Sequence, residues 1–351
     1  MAHPGGMMRA LILKQDGLAR DAGTMRGLDA PHDLLELAEI PVPTPGPGQV
    51  LIRVRRSTVN PSDLAYVTGT YGQSRVAGTP AGFEGVGTVV ATGGGLMARM
   101  MKGRNVAFYV SARGSGAWAD YAVTDAKSVI PLKKGMQDCD AAAMLVNPIS
   151  VAAMLDLVQP GAAFVFTAAA SQLGKLAASL AGDQGKRMIG IVRRDAPIAA
   201  LKTLGATHVL NATSPEFAQD LASVLRREKP VIFLDAVGGG PVSSQIFDSM
   251  GKGARWVIYG GLGQGSAEIL NPGGIIFMTK SVEAFWATNW AAKATLLKQV
   301  QISGLVQKRF LSGAWVTDVA AELPLDQALD GLPEALKLTD GKVQIVMAAH
   351  G

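Results

Sequence analysis

The chain has 351 residues, 48% of them hydrophobic and 17% charged, which is enough sequence for two domains that each bury a core. Its net charge of +5 (33 basic minus 28 acidic residues) suits an anionic cofactor or substrate, whereas the scattered basic residues do not indicate a nucleic-acid partner. The single cysteine, Cys139, excludes an intrachain disulfide and a four-cysteine zinc site.

Three further features argue against a metal site, a membrane span and a targeting segment. The histidines are far apart in the sequence, so we expect no metal site; they are His3, His32, His208 and His350. The longest apolar stretch, residues 158–182, is interrupted by polar side chains and predicts a strand and a helix rather than a membrane span. The first residues lack the features of a signal peptide or presequence, so we expect a cytoplasmic protein without a membrane partner.

The first 137 residues are rich in glycine, proline and valine. Short alternating apolar runs are separated by breakers rich in proline and glycine, which predicts a mostly antiparallel β domain. The predicted strands include 50–54, 85–91, 105–110 and 117–123.

Helical and strand patterns alternate from residue 138 to residue 290. Alternation of this kind predicts a parallel, doubly wound sheet. The predicted strands are 163–166, 188–192, 208–210, 231–235 and 254–259. The predicted helices are 141–156, 173–183, 197–204, 216–227 and 242–250.

The first βαβ unit of this region, residues 163–194, has the order expected of a dinucleotide-binding unit. A turn of small residues lets a backbone approach a pyrophosphate, and the following helix offers N–H donors and its positive end. The predicted contacts are Ala170, Ser171, Gln172, Leu173 and Gly174. Because Gly174 is the only clear glycine of the usual three, the alternative is a βαβ unit whose small residues serve helix–sheet packing.

The end of the second strand in this unit indicates which dinucleotide would bind. An acidic residue there would bind a ribose 2′-hydroxyl, whereas this chain has Arg193 and Arg194, 19 residues (193 − 174) after Gly174. Arginine suits bidentate contacts with phosphate, so the pair predicts the 2′-phosphate of NADPH. The alternative is a solvated pair of loop charges.

Two more glycine-rich turns, 235–239 and 259–263, follow predicted strands. Ligands of doubly wound sheets bind outside the carboxyl ends of the strands, so these turns are expected at the same crevice as the first. The predicted cofactor-lining residues of the second turn are Tyr259, Gly260, Gly261 and Leu262.

The last part of the chain, residues 291–351, predicts helices at 292–303 and 325–338 and a final strand at 342–347. A closing strand of this kind is expected to rejoin the first sheet. The predicted domains are therefore 1–137 with 291–351, and 138–290.

Several motifs, together with this domain order, resemble the medium-chain dehydrogenase/reductase superfamily over nearly the whole chain. They are PGPGQVLI at 45–52, NPSD at 60–63, GFEGVG at 82–87 and GKV at 341–343. The resemblance implies an α/β protein with a GroES-like β-rich catalytic domain, a Rossmann cofactor domain and a homodimeric assembly. Zinc-dependent members carry cysteine in place of Asn60 and histidine in place of Phe83, so the chain resembles the zinc-independent branch.

Within that branch the chain is most similar to 2-enoyl thioester reductases. The features concerned are NPSD followed by GTYG at 69–72, VNP at 146–148, the glycine-poor turn, and FWATNW at 285–290. The implied function is NADPH-dependent reduction of the C=C bond of enones or enoyl thioesters. Two alternatives stay open: an NADPH:quinone oxidoreductase of the same fold, and a non-catalytic NADPH-binding redox sensor.

The resemblance assigns roles to several side chains. Tyr71 is the candidate catalytic residue, because a phenol can donate a hydrogen bond to a developing enolate oxygen; the alternative is an aromatic ring packed on the core. Asn147 is a candidate for contact with the nicotinamide, or for the N-cap of a helix with Pro148 at its first position.

Other candidate roles concern the nicotinamide end and its surroundings. Phe285 and Trp286 would wall the nicotinamide, unless they are simply core residues. Lys342 would reach an anionic group of the cofactor or thioester, unless it is an exposed lysine. Asp63 and Glu84 are interpreted as acceptors that fix loops rather than as acids or bases.

Overall fold

The computed structural model describes residues 5–19, 28–111, 113–263, 268–269, 271–338 and 341–348. The chain divides into two compact units: unit 1 is Met1–Asn147 with Ser303–Gly351, and unit 2 is Pro148–Ile302. The limits of the units, at 147/148 and 302/303, each fall within a helix, and the predicted domains, 1–137 with 291–351 and 138–290, stay a prediction.

The elements follow one another in chain order. Up to the first boundary they are β1 (Met7–Leu13), α1 (Pro31–Leu34), β2 (Leu35–Pro41), β3 (Gln49–Val59), α2 (Pro61–Val67), β4 (Glu84–Thr92), α3 (Leu96–Met101), β5 (Asn105–Tyr109), β6 (Tyr121–Asp125), β7 (Val129–Pro131) and α4 (Asp138–Ala141). Across unit 2 they are α5 (Asn147–Leu155), β8 (Ala163–Phe166), α6 (Gln172–Asp183), β9 (Arg187–Val192), α7 (Ile198–Leu204), β10 (His208–Asn211), α8 (Phe217–Glu228), β11 (Ile232–Asp235), α9 (Gly240–Ser249), β12 (Arg255–Ile258), α10 (Pro272–Phe277), β13 (Ser281–Ala284), α11 (Ala287–Lys293) and α12 (Leu296–Leu311). The last elements are β14 (Val319–Pro324), α13 (Ala328–Ala335) and β15 (Lys342–Val346).

Unit 1 is built on a seven-stranded sheet in the order β14-β15-β3-β4-β5-β7, with β6 pairing β3, and on the separate hairpin pair β1-β2. All of these pairs are antiparallel except β14 with β15. The closing strand β15 pairs with β3, from Val343 opposite Val59 to Val346 opposite Arg56. The predicted antiparallel β domain, rejoined by the last strand, is confirmed.

Unit 2 is built on a six-stranded parallel sheet in the order β10-β9-β8-β11-β12-β13. Numbered from its own first strand, this is the 3-2-1-4-5-6 order of the Rossmann fold, whose direction of winding reverses between β8 and β11. All four residues of β8 are buried, as expected for a central strand that helices cover on both faces. The predicted doubly wound sheet is confirmed.

Each unit buries its own core. In unit 1 the core includes Phe108 and Trp118, and in unit 2 it includes Phe233 and Trp256, all with no exposed surface. Within the described residues, no helix combines the length and the apolar composition needed to cross a lipid bilayer.

Three local predictions were wrong. The helix predicted for residues 141–156 is interrupted between α4 and α5, because backbone N–H groups in the gap bond to a side chain of β4. The helix predicted for 325–338 is shorter, and the strand β14, which was not predicted, precedes it. The helix predicted for 292–303 is replaced by the end of α11 and by α12.

Candidate functional site

The turn from β8 into α6 contains the predicted pyrophosphate contacts. Ser171 is the N-cap of α6, and its Oγ accepts a hydrogen bond from the N–H of Gly174 at 3.1 Å. A Cβ atom on Gly174 would lie 2.2 Å from the carbonyl oxygen of Ala169, so this position requires glycine. The first turn of α6 lies at the positive end of the helix dipole, which favours anions. The other predicted contacts, Ala170, Gln172 and Leu173, are half-buried beside it.

Arg193 and Arg194 follow β9 directly, and both are exposed. Because β9 is the neighbour of β8, the arginines emerge from the strand end next to the turn of α6. In the part of the chain that the structure describes, neither guanidinium has an acidic partner. The adjacent Asp195 instead accepts a hydrogen bond from Asn211 Nδ2 at 2.9 Å. The positive charge of the pair is therefore not neutralised by these neighbours.

The glycine-rich turns after β11 and β12 pack on each other. The N–H of Tyr259 donates to the carbonyl of Asp235 at 2.9 Å, and the N–H of Leu262 donates to the carbonyl of Ala236 at 3.0 Å. A Cβ atom on Gly260 would lie 2.6 Å from that Ala236 oxygen, so the close approach requires glycine. Gly261 is half-buried and Leu262 is 51% exposed.

Asp235, the last residue of β11, is fully buried and connects β11 with the end of β8 and with a side chain of β12. Its carboxylate accepts hydrogen bonds from Thr167 Oγ1 at 2.5 Å and from Trp256 Nε1 at 2.9 Å. It also accepts from the N–H groups of Val237 at 2.9 Å and Gly238 at 3.2 Å. One carboxylate thus fixes the turn after β8 together with the turn after β11.

Replacing Asp235 with alanine should destabilise unit 2 by about 3 kcal/mol, because two buried donors and two partly buried donors would lose their acceptor. Thermal and urea unfolding measure the loss. Glu283→Ala is the matched control, since that carboxylate pairs with Arg255 on the same sheet and is 38% exposed. The control should cost less than about 1 kcal/mol. Equal losses in the two variants would contradict the role given to Asp235.

The hydroxyl of Tyr259 is a buried polar atom at the end of β12. It has no hydrogen-bond partner among the described residues. Burial, and then the nearby Asp235, raise the pKa of Tyr259 well above its usual range, so the phenol is protonated at neutral pH. Its ring packs against Phe166 of β8 with centroids 5.7 Å apart. A donor without a protein acceptor at the strand ends fits a bound polar ligand.

Phe285 and Trp286 follow β13 in the short connection to α11, and both are half-buried. The N–H of Phe285 donates to the carbonyl of Ile258 at 2.8 Å, which holds this connection against β12. They are therefore connection residues rather than fully buried core residues, and their predicted contact with nicotinamide stays a prediction.

In unit 1, Tyr71 lies in a tight turn after α2. The N–H groups of Thr70 and Tyr71 both donate to the carbonyl of Ala65, at 2.8 and 3.0 Å. Gly69 enters this turn with φ of 76°, and a Cβ there would lie 2.6 Å from the guanidinium of Arg75. The turn therefore fixes the backbone of Tyr71.

The ring of Tyr71 packs on Phe83, with centroids 5.2 Å apart and planes tilted by 43°. Phe83 is 4% exposed and also contacts Tyr66 at 5.0 Å and Tyr109 at 6.0 Å. Phe83, which stands where zinc-dependent members of the resembled superfamily carry a histidine ligand, is thus the centre of an aromatic cluster. Tyr71 is half-buried at the edge of this cluster.

Asp63 is a fully buried carboxyl group that joins α2 to the start of β4. Its two oxygens accept hydrogen bonds from the N–H of Asn60 at 2.7 Å and of Phe83 at 2.8 Å. Burial raises the pKa of Asp63 to about 7 and nearby Glu84 adds to the rise, although both backbone hydrogen bonds lower it. Asp63 is thus an acceptor that fixes a loop, as expected from the sequence.

Stability should fall as the pH rises toward 7, because the folded chain binds the Asp63 proton more tightly than the unfolded chain does. The contribution of protonated Asp63 to the free energy of unfolding is fully present below the unfolded pKa of 3.8. It is lost as the pH rises through the folded pKa of about 7, and the free energy of unfolding falls by at most about 1.4 kcal/mol per pH unit. Burial also raises the pKa of Glu84, which acts in the same direction. Melting temperatures from about pH 5 to about pH 8 measure the slope.

Asp63→Asn is the variant that tests this pH dependence. Its amide has only one oxygen, so its NH2 group faces either the N–H of Asn60 or the N–H of Phe83, which then has no acceptor. The variant should therefore be less stable at every pH. Its melting temperature should nevertheless vary less with pH than that of the wild type. An unchanged slope would show that Asp63 does not carry the dependence.

Glu84, Asn60 and Lys342 form a buried polar network beside Asp63. Glu84 Oε1 accepts from Asn60 Nδ2 at 2.7 Å, and Glu84 Oε2 accepts from the N–H groups of Leu145 and Val146 at 3.0 and 2.9 Å. Lys342 is 8% exposed, and its Nζ donates to Asn60 Oδ1 at 2.5 Å. Burial lowers the pKa of Lys342, whereas Glu84 and Asp63 raise it. Lys342 is therefore neither exposed nor extended toward solvent.

Asn147 is half-buried and is the first residue of α5. The predicted alternative, an N-cap with Pro148 at the first helical position, was wrong, because the helix begins at Asn147 itself and Val146 precedes it. The predicted contact of Asn147 with nicotinamide stays a prediction.

The described residues contain no group of three or more histidine, cysteine or acidic side chains that could hold a metal ion. His32 bonds to Asp330 and His208 bonds to Glu228, each at 2.8 Å. The other two histidines, His3 and His350, lie outside the described residues.

Two family models match the chain. The alcohol dehydrogenase GroES-like domain matches residues 46–134, which lie in unit 1. The zinc-binding dehydrogenase model matches residues 172–301, which lie in unit 2. These matches agree with the sheet topology of each unit.

A solved structure from Mesorhizobium loti, described as a proposed NADPH:quinone reductase, is 45% identical with a TM-score of 0.92, and the match covers 99% of this chain and 100% of that one. Bos taurus prostaglandin reductase-3 is 29% identical over 264 residues, which is 74% of this chain and 64% of the relative. The mitochondrial enoyl-[acyl-carrier-protein] reductase of Bos taurus is 28% identical over 273 residues, covering 74% and 70%. The chain thus spans less than two thirds of the prostaglandin reductase.

A GroES-like unit joined to a Rossmann unit defines a two-domain oxidoreductase. The chain belongs to the zinc-independent medium-chain dehydrogenase/reductase superfamily, and within it is similar to 2-enoyl thioester and quinone reductases. The predicted fold class is confirmed.

Sequence reasoning missed two features of the site. The strand pattern predicts Asp235 only as a strand end, although an acidic residue that closes an apolar strand before a glycine-rich turn is a detectable signal. The contact of Lys342 with Asn60 joins residues 282 positions apart, and no local pattern indicates it.

Proposed function

We propose that the protein is an NADPH-dependent, zinc-free reductase of activated C=C bonds, with 2-enoyl thioesters as the favoured substrates. The observation that carries this proposal is the setting of Tyr71. Its phenol is presented from a rigid turn, and its ring is packed on Phe83, the residue that stands at a zinc-ligand position. A hydrogen-bond donor thus replaces a metal ion as the source of electrophilic assistance.

Unit 2 supplies the residues that would hold NADPH. The first turn of α6 would bind the pyrophosphate, and Arg193 with Arg194 would bind the 2′-phosphate. The unpartnered hydroxyl of Tyr259 fits a polar group of the cofactor. The other proposed contacts are Ala170, Ser171, Gln172, Leu173, Gly174, Gly260, Gly261, Leu262, Phe285, Trp286 and Asn147.

Lys342 is not among the proposed cofactor contacts, because its ammonium group is engaged with Asn60 in the interior of unit 1.

When bound, NADPH supplies a hydride and is left as NADP⁺. A new C–H bond forms at the β-carbon of the substrate while the π electrons of the C=C bond move onto the thioester carbonyl, giving an enolate. Tyr71 donates its O–H hydrogen bond to the enolate oxygen, where negative charge develops. A proton then adds to the α-carbon, directly from Tyr71 or from water, and completes the saturated thioester.

A second candidate function is NADPH:quinone oxidoreduction. The observation in its favour is the 45% identity with the Mesorhizobium loti protein described as a proposed NADPH:quinone reductase. In this case two electrons would pass to a quinone ring, and the same phenol would support the oxygen that gains charge. The curated enoyl and prostaglandin reductases favour the first function instead.

We also propose a homodimer. Strand β13 lies at the edge of its sheet, so its outer N–H and C=O groups are available for pairing. Exposed apolar side chains lie on and near it: Val282 is 44% exposed, Ile276 69% and Phe277 82%. Sedimentation of the purified protein measures the assembly. The cytoplasmic location stays a prediction.

Oxidation of NADPH with crotonyl-CoA, longer enoyl-CoA esters and an ortho-quinone, measured side by side, tests the proposed function. Turnover of enoyl thioesters above that of the quinone is expected. Turnover of the quinone alone would select the second candidate. Tight NADPH binding without turnover of any acceptor would indicate the redox-sensor alternative.

A further inference from the structure

Glu84 keeps a carboxylate in the interior of unit 1, where it has 1% of its surface exposed. Burying an ionised carboxylate is costly unless hydrogen bonds and an opposite charge compensate it. Here Oε1 accepts from Asn60, and Oε2 accepts from two consecutive backbone N–H groups, Leu145 and Val146. Apolar residues of similar volume often stabilise a core as well as a buried ion pair does, so stability alone does not account for this network.

The network has only one consistent arrangement of donors and acceptors. Lys342 carries an ammonium group that can only donate, so the oxygen of the Asn60 amide must face it. The NH2 group of Asn60 therefore faces Glu84, which must accept. Lys342 and Asn60 thus orient the carboxylate, and its second oxygen is left for the two backbone N–H groups.

Those N–H groups lie in the gap between α4 and α5, immediately before Asn147. The negative carboxylate also lies at the N-terminal end of α5, where the helix dipole favours an anion. The N–H of Val146 is held at 2.9 Å, one residue from the start of the helix. The position of Asn147 is therefore set by a side chain of β4.

We infer that Glu84 is a positioning residue, which fixes the Leu145–Val146 backbone and so places Asn147 for contact with the nicotinamide half of NADPH. The inference rests on the proposed function, because it assigns Asn147 to that contact. Glu84 itself touches neither cofactor nor substrate in this arrangement. Its removal should therefore impair hydride transfer and nicotinamide binding, but not binding of the adenine half.

Two double variants form a matched test, since both remove the charges of Glu84 and Lys342. In E84Q/K342M the introduced amide oxygen can accept from Leu145 and Val146. The introduced NH2 group can donate to the Asn60 oxygen, which Lys342 no longer engages. In E84M/K342M the same volume is filled without any acceptor. We expect near wild-type kcat in the first and a kcat about tenfold to a hundredfold lower in the second.

The single variant E84Q should be impaired, in contrast to the double variant E84Q/K342M. Lys342 still holds the Asn60 oxygen, so two NH2 groups face each other and the introduced amide must turn away from one set of partners. E84Q should therefore be slower than E84Q/K342M, and the second substitution should restore turnover. If E84M/K342M does not fold, the comparison of kcat between E84Q and E84Q/K342M still tests the positioning role of Glu84.

Binding measurements provide a readout that does not depend on turnover. The Kd of NADPH should rise in E84M/K342M relative to E84Q/K342M, whereas the Kd of 2′,5′-ADP should be the same in both. Equal kcat and equal NADPH affinity in the two double variants would overturn the inference. Failure of the wild type to bind NADPH or 2′,5′-ADP would instead contradict the proposed function, and the positioning role with it.

Lys186→Met is the control for general loosening of α5. Lys186 Nζ donates to the carbonyl of Leu155, at the other end of the same helix, at 2.7 Å, and the residue is 8% exposed. The control should lower the melting temperature and leave kcat and the Kd of NADPH unchanged. A loss of kcat equal to that of E84M/K342M would show that helix stability, rather than placement of Asn147, is responsible.

Discussion

Tyr71→Phe should keep the fold and lose most of the turnover with enoyl thioesters. Phenylalanine preserves the ring that packs on Phe83 at 5.2 Å and the backbone turn held by Ala65, so only the O–H is removed. Loss of one donor to a developing oxyanion lowers kcat by about a hundredfold to a thousandfold. Steady-state kinetics with saturating NADPH measure the loss, and KM should change little because the hydrogen bond strengthens only as charge develops.

Tyr66→Phe is the matched control for this experiment. Tyr66 packs on the same Phe83 ring at 5.0 Å but is 8% exposed inside the core. The proposed mechanism predicts wild-type kcat for Tyr66→Phe. A comparable loss in both variants would assign the effect to the aromatic cluster, and unchanged turnover in Tyr71→Phe would remove Tyr71 from the mechanism.

The Rossmann unit could be predicted in detail because its signals are local. Buried parallel strands such as β8 are continuous apolar runs, and small residues with a serine N-cap mark the turn that follows. The turn has one clear glycine, Gly174, and the structure shows why this one suffices. Ala168 adopts φ of 50° without being glycine, while Gly174 is the position where a Cβ would meet the backbone of Ala169.

The interior of unit 1 could not be predicted in the same way, because its polar contacts join distant parts of the chain. Asn60 meets Glu84 across 24 residues, Glu84 meets Val146 across 62, and Lys342 meets Asn60 across 282. The sequence identified Asp63 and Glu84 as acceptors that fix loops. It gave no indication that Lys342 would complete their network.

The break between α4 and α5 has the same origin. Residues 141–156 have a helical apolar pattern, but two of their N–H groups bond to the carboxylate of Glu84 rather than to helix carbonyls. Tertiary hydrogen bonds to a buried charge thus override local helix propensity. A local sequence pattern therefore does not predict a helix boundary that a distant side chain determines.

Removal of Arg193 and Arg194 together should convert the preference for NADPH into indifference between NADPH and NADH. Hydrogen bonds to a charged group contribute about 1.5–3 kcal/mol each, so R193A/R194A should raise the KM for NADPH by about a hundredfold or more. The KM for NADH should stay unchanged because that cofactor lacks the 2′-phosphate. kcat with NADPH should also be retained, since this binding energy is equal in the ground and transition states.

R226A/R227A is the control that removes the same charge from unit 2. Arg226 and Arg227 are adjacent arginines in the last turn of α8, and Arg227 contacts Glu228 and His208 at a strand start rather than at a strand end. If the overall positive charge of unit 2 attracted the cofactor, both double variants would raise the KM for NADPH by the same factor. Added salt would then remove the difference in KM between each variant and the wild type. A phosphate held by direct contacts gives the increase in R193A/R194A alone. A wild type that prefers NADH would contradict the assignment, because arginines at the end of β9 have no role in binding a free ribose 2′-hydroxyl.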